Sequence, residues 1–87
     1  MKLKDGMITE KIGNDYMAVA TGEASRVFKG MIRGNATMNY IMQQLMTDTD
    51  EDKLVAALLD KYDVSEEAAR RDVRKIIDLL AEAGLLE

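Results

Sequence analysis

The chain has 87 residues, of which 47% are hydrophobic and 32% charged, a composition typical of one folded domain rather than a disordered segment. It contains no Cys and no His, so thiol nucleophiles, disulfides, thiolate metal sites and the usual neutral-pH acid–base group are excluded. Its net charge of −4 argues against a dedicated nucleic-acid binder, which usually carries a basic surplus. No run approaches the ~18 apolar residues that a membrane helix needs. We therefore expect a cytoplasmic protein that is not an enzyme, uses no cofactor and has no membrane partner.

The first third of the chain predicts three strands. Residues 7–12 alternate with a period of two, and the pair at 13–14, Gly-Asn, is a good two-residue hairpin turn because glycine accepts a positive φ. Residues 16–21 are rich in small, β-branched and aromatic side chains and are predicted to form the returning strand. A turn at 22–25 leads to a third predicted strand at 27–33.

The remainder predicts three amphipathic helices. Asn35 is a candidate N-cap of the first helix, Ser65 caps the third, and Gly84 stands where the third helix should end. The predicted buried stripes are Met38, Ile41, Met42 and Leu45 in the first helix, Leu54, Val55, Leu58, Leu59 and Tyr62 in the second, and Ala69, Val73, Ile76, Ile77 and Leu80 in the third. The order indicates a single α+β domain over residues 1–87, winged-helix-like, with a three-stranded antiparallel sheet followed by three helices.

The third predicted strand would be an edge of the sheet. It is apolar at Val27, Phe28, Met31 and Ile32 and also carries two cations, Lys29 and Arg33. One interpretation is a core-facing strand whose charges prevent aggregation. The other is a dock for an extended peptide, which would add to the sheet as a further strand.

The third helix carries a basic cluster of Arg70, Arg71, Arg74 and Lys75. A winged-helix fold would place this helix in a DNA groove, so a DNA-binding or regulatory module is one alternative. We favour a solvated face with i, i+4 ion pairs, and an acidic peptide is a third option. The acidic run at 48–52 lacks the glycine and distal glutamate of a calcium loop, so no metal site is expected.

The order and spacing of several short motifs resemble the PqqD-like family, whose namesake is pyrroloquinoline quinone biosynthesis protein D. The resemblance covers roughly residues 8–87 and departs from the family at Gly34, where a Leu is more usual. The motifs are Phe28-Lys29-Gly30-Met31-Ile32, Asn35-Ala36-Thr37, Tyr62-Asp63-Val64 with Glu67, Asp72-Val73, and Ala83-Gly84-Leu85-Leu86.

The resemblance implies a RiPP recognition element, a peptide-binding domain that serves the synthesis of ribosomally made and post-translationally modified peptides. Such a domain binds the leader of a precursor peptide and presents it to a modifying enzyme, often a radical SAM protein. The leader would pair with the third strand and lie in the groove toward the third helix. The implied peptide-binding residues are Val27, Phe28, Lys29, Met31 and Arg33 on the strand, and Arg70, Arg71, Arg74 and Ile77 on the helix. A structural domain that pairs its own edge strands as a homodimer is the remaining alternative.

Overall fold

The computed structural model describes residues 1–87, and its elements follow the predicted β-β-β-α-α-α order. The elements are β1 (Met7–Ile12), β2 (Asp15–Ala20), a 3₁₀ turn (Ala24–Arg26), β3 (Met31–Gly34), α1 (Ala36–Gln44), α2 (Glu51–Lys61) and α3 (Glu66–Glu82). The strands form one antiparallel meander with β2 in the middle, so β1 and β3 are its two edges. The predicted fold class is confirmed.

Local signals in the sequence place most of the turns and helix ends. The hairpin turns at residues 13–14, where Gly13 has φ 62°. The side chain of Asn35 accepts a hydrogen bond from the Met38 N–H at 3.0 Å, and that of Ser65 accepts one from the Ala68 N–H at 3.1 Å. Both helix starts therefore have the N-caps that the sequence predicts.

The helices cover one face of the sheet and enclose an entirely apolar core. Ala18 and Ile32 contribute from the sheet, and the largest fully buried side chains elsewhere include Leu45 at the C-cap of α1, Leu58 of α2 and Leu80 of α3. No polar or charged residue is buried. Because the buried residues are all apolar, burial of hydrophobic surface is the main stabilising term.

The predicted stripe of α2 is wrong at one position. Leu59 was expected in the core and is instead 38% exposed, whereas Leu54, Val55 and Leu58 are buried. A helix advances about 100° per residue, so Leu59 is turned past the narrow stripe that meets the other helices.

The predicted third strand is too long at its start. Residues 27–30 are not in the sheet, and β3 runs only over Met31–Gly34. The N–H groups of Val27 and Phe28 both donate to the Ala24 carbonyl, at 3.2 and 3.1 Å. These donors are therefore occupied by a local turn and do not join the β ladder, and the chain reaches β2 only at Met31.

The outer face of the sheet has no helix over it. Ile8, Val19 and Met31 lie in one row across the three strands, and the Ile8 and Met31 side chains are exposed. Arg33 and Asp15 make an ion pair on the same face, at 3.1 Å between Nη2 and Oδ2. None of the helices is long and apolar enough to cross a membrane.

Candidate functional site

The hairpin register decides which backbone groups of β2 point toward β3. The two-residue loop at 13–14 makes Ile12 and Asp15 a hydrogen-bonded pair, in which both residues direct their N–H and C=O groups at each other. Such pairs alternate along a ladder with non-bonded pairs. Tyr16 and Ala18 therefore direct their backbone groups away from β1 and toward β3.

The same alternation leaves part of β3 unpaired. Gly34 opposes Tyr16 and Ile32 opposes Ala18, so these two β3 residues are bonded to β2. Met31 and Arg33 must then direct their N–H and C=O groups at the open edge of the sheet. This edge offers four backbone groups to another extended chain.

A groove runs between this open edge and α3. Its residues come from β3, from the start of α1 and from one face of α3. One cavity of about 160 Å³ is lined by Ile32, Arg33, Gly34, Asn35, Thr37, Met38, Ile41, Asp72, Lys75, Ile76 and Leu79. A wider opening beside it is lined by Phe28, Met31, Ile32, Arg33, Leu79, Glu82 and Ala83. The groove therefore has an apolar floor and a charged rim.

Two of the predicted helix contacts lie on the other side of α3. Arg70 Nη1 donates to Glu51 Oε2 at 2.8 Å and to Asp52 Oδ1 at 3.1 Å, and Arg74 Nη1 donates to Glu51 Oε1 at 2.9 Å. The hydrogen bonds from Arg74 and Arg70 lower the pKa of the Glu51 carboxyl, and the hydrogen bond to Glu51 raises the pKa of each guanidinium. These arginines join α3 to the start of α2 and do not line the groove.

The structure brings only part of the predicted strand set to the groove. Phe28 lines it, and Met31 and Arg33 border it from the strand edge while their side chains lie on the outer face of the sheet. Val27 lies beside Gly84 at the end of α3, and Lys29 is an exposed residue of the segment before β3. The shorter β3 explains this result, because residues outside a strand do not keep its two-sided alternation.

The remaining predicted helix residues also lie outside the groove lining. Arg71 is exposed, and Ile77 is half-buried against the core.

The residues of α3 and its C-cap that do line the groove lie on the face opposite Arg70 and Arg74. They are Asp72, Lys75, Ile76, Leu79, Glu82 and Ala83, which recur at helical spacing on a single face. The sequence contains one signal for this face, namely that Leu79 is a large apolar residue outside the predicted buried stripe. It is 38% exposed in the structure and lies among the residues that line the groove.

Comparison with known proteins gives a family and a fold. The coenzyme PQQ synthesis protein D (PqqD) family matches residues 13–86. Among solved structures, TbiB1 in complex with the TbiA(beta) leader peptide is 22% identical, with a TM-score of 0.73 over 100% of this chain and 95% of that one. Lasso peptide synthetase B1 complexed with the leader peptide is 19% identical, with a TM-score of 0.68 over 97% of this chain and 93% of that one. No curated protein matches the chain.

Proposed function

The chain belongs to the coenzyme PQQ synthesis protein D (PqqD) family, and on that premise we propose that it binds the leader of a ribosomal precursor peptide and delivers it to a modifying enzyme. The leader would add to β3 as a fourth strand and lie in the groove beside α3. The two structural neighbours, each described with a leader peptide bound, support this proposal.

The observation that carries the proposal is an unpaired strand edge directly beside an apolar groove. Each backbone hydrogen bond at Met31 or Arg33 contributes roughly 0.5–1.5 kcal/mol, and each well-buried apolar side chain about 1.5–3 kcal/mol. Because β3 has only four residues, backbone pairing alone would give weak binding. We infer that the leader has apolar side chains at alternate positions, which enter the groove and supply most of the affinity.

We assign the chemistry to the partner and not to this chain. A chain without His or Cys lacks the side chains that most often act as nucleophile or neutral-pH base. A radical SAM enzyme is the partner class that we propose, in the reducing cytoplasm that suits a protein free of cysteine.

Titration of ¹⁵N-labelled protein with the leader of a precursor encoded beside it tests the proposal. We expect amide shifts at residues 31–34 and on the α3 face that carries Asp72, Ile76 and Leu79. The matched control is a peptide of the same composition whose scrambled order removes the alternation of apolar residues. Shifts confined to α2, or equal binding of the scrambled peptide, would contradict strand addition in the groove.

No observation favours the DNA-binding alternative. It relies on Arg70, Arg71 and Arg74, and Glu51 already holds the guanidiniums of Arg70 and Arg74. We therefore expect no retardation of duplex DNA even at low salt, where phosphate contacts are strongest.

A further inference from the structure

The cavity of about 160 Å³ lies where β3, α1 and α3 meet. Its apolar lining comes from Ile32, Met38, Ile41, Ile76 and Leu79. An apolar protein cavity of about 150 Å³ is large enough to bind benzene. The cavity in this chain therefore has room for one large side chain, and it lies beside the open edge of β3.

Gly34 lies at the edge of this cavity and packs against Met38. Its φ is not positive, so the backbone here does not itself require glycine. A Cβ added at Gly34 would overlap the sulfur of Met38 and would lie 3.2 Å from the Met38 Cβ. A side chain at position 34 would have to displace the Met38 thioether, and the cavity is the adjacent free space.

The sheet geometry places one side chain of an added strand at this cavity. Ile32 and Gly34 lie on the face of the sheet that the helices cover, opposite Ala18 and Tyr16. Residues of a fourth strand that lie across from Ile32 or Gly34 must point to that same face. Those across from Met31 and Arg33 point to the outer face, away from the groove.

We propose that this cavity, here called the Gly34 pocket, takes one bulky apolar side chain of the bound peptide, the size of Phe, Leu or Met. Gly34 influences the size of the pocket through Met38, because a side chain at position 34 would displace the Met38 thioether. Asp72 and Lys75 are exposed residues on the rim, so a peptide side chain can enter the pocket without burying either charge. This inference rests on the proposed function, since the peptide would supply the side chain.

The pocket is testable without any peptide, with toluene as the probe because toluene is the side-chain analogue of Phe. In ¹³C-methyl-labelled protein we expect saturable shifts at Ile32, Ile41 and Ile76. Gly34→Leu should weaken the binding at least about tenfold, which corresponds to 1.4 kcal/mol. Gly30→Leu is the matched control, because Gly30 also lacks a positive φ and has only the Phe28 ring close to its Cβ position, at 3.4 Å. It should keep the wild-type affinity.

Unchanged toluene affinity in Gly34→Leu, or the absence of a saturable methyl shift in the wild-type protein, would contradict the inference of a Gly34 pocket. If Gly34→Leu does not fold, Gly34→Ala serves instead. It forces the same displacement of Met38 with a smaller group and should reduce the affinity less.

Binding experiments with a leader peptide then test the pocket inference and the proposed function separately. In an alanine scan of a leader that binds, one apolar position should lose at least about tenfold in affinity against the wild-type protein. The same position should tolerate alanine against Gly34→Leu. If the leader binds and no position shows this dependence, the pocket inference fails and the proposed function stands. If toluene binds and the leader does not, the proposed function fails and the cavity is not a peptide subsite.

Discussion

At the scale of single residues, Gly6 shows a constraint that no periodic pattern reveals. Its carbonyl accepts the Thr21 N–H at 2.9 Å and the Thr21 hydroxyl at 2.6 Å, and these bonds join the chain before β1 to the chain after β2. Its φ is +103°, and a Cβ added to it would overlap the Thr21 carbonyl. Gly6 is therefore fixed both by its backbone angle and by the space around it.

We predict that Gly6→Ala lowers the free energy of unfolding by more than about 2 kcal/mol, because the new methyl group would break the contact with Thr21. Gly13→Ala is the control. Gly13 also has a positive φ, but no atom lies near its added Cβ, so this change should cost only about 1 kcal/mol. Urea denaturation of both variants measures the difference, and equal losses would show that the contact with Thr21 has no effect.

At the scale of elements, α3 has two faces outside the core with different roles. Arg70 and Arg74 on one face bind Glu51 of α2, and Leu79 on the opposite face lines the groove. Residues three and four apart share a helix face, whereas neighbours in sequence do not. The groove residues Asp72 and Ile76 lie two positions beyond Arg70 and Arg74, about 200° around the helix, so the predicted face was the opposite one.

We predict that Leu79→Ala weakens leader binding at least about tenfold, since it removes apolar surface that the peptide would cover. Because Leu79 is 38% exposed, the change should affect folding far less than the loss of a core leucine. Arg74→Ala is the matched control on the opposite face and should leave the dissociation constant unchanged. Calorimetric titration with the leader measures both, and a larger effect of Arg74→Ala would restore the basic face as the binding surface.

We predict that Met31→Pro also weakens leader binding, because proline removes an N–H that faces the open edge of β3. The hairpin register places the Lys11 N–H at the open edge of β1 in the same way, so Lys11→Pro is the matched control. It should leave peptide affinity unchanged. Circular dichroism establishes that each variant folds, and unchanged affinity in folded Met31→Pro would count against strand addition.

At the scale of the whole molecule, an ion-pair cluster links α3 to α2 over an apolar core. Glu51 bonds to both Arg70 and Arg74, its side chain is 26% exposed, and Asp52 adds a second contact to Arg70. Solvent and salt screen a cluster of this kind, so we expect a modest contribution to stability.

We predict a specific pH dependence for that contribution. The folded protein holds the pKa of Glu51 below its ordinary value of 4.5, so the stabilisation is complete above that pH and is lost as the pH falls through the lowered folded value. Glu51→Gln should be less stable than the wild-type protein at neutral pH. The difference should shrink at acid pH and in high salt. Urea denaturation across pH measures it, and a difference that is constant with pH would exclude the ion pairs as its source.

The sequence by itself determined the element order, the hairpin turn, the N-caps and most of the helical stripes. These features depend on contacts between residues a few positions apart. Gly13 at the hairpin turn, Asn35 bonded to Met38 and Ser65 bonded to Ala68 all act within one turn of chain.

Only the tertiary structure decided where β3 begins, which face of α3 meets the groove, and how much space Gly34 leaves. Each of these depends on residues that are distant in sequence. The hydrogen bonds from Val27 and Phe28 to Ala24 keep residues 27 and 28 out of β3. Glu51, on another helix, binds Arg70 and Arg74. Ile76 and Leu79 of α3 line the same cavity as Gly34 of β3. Local periodicity carries no information about such pairings, because several arrangements bury the same apolar stripes and only the packed chain selects one of them.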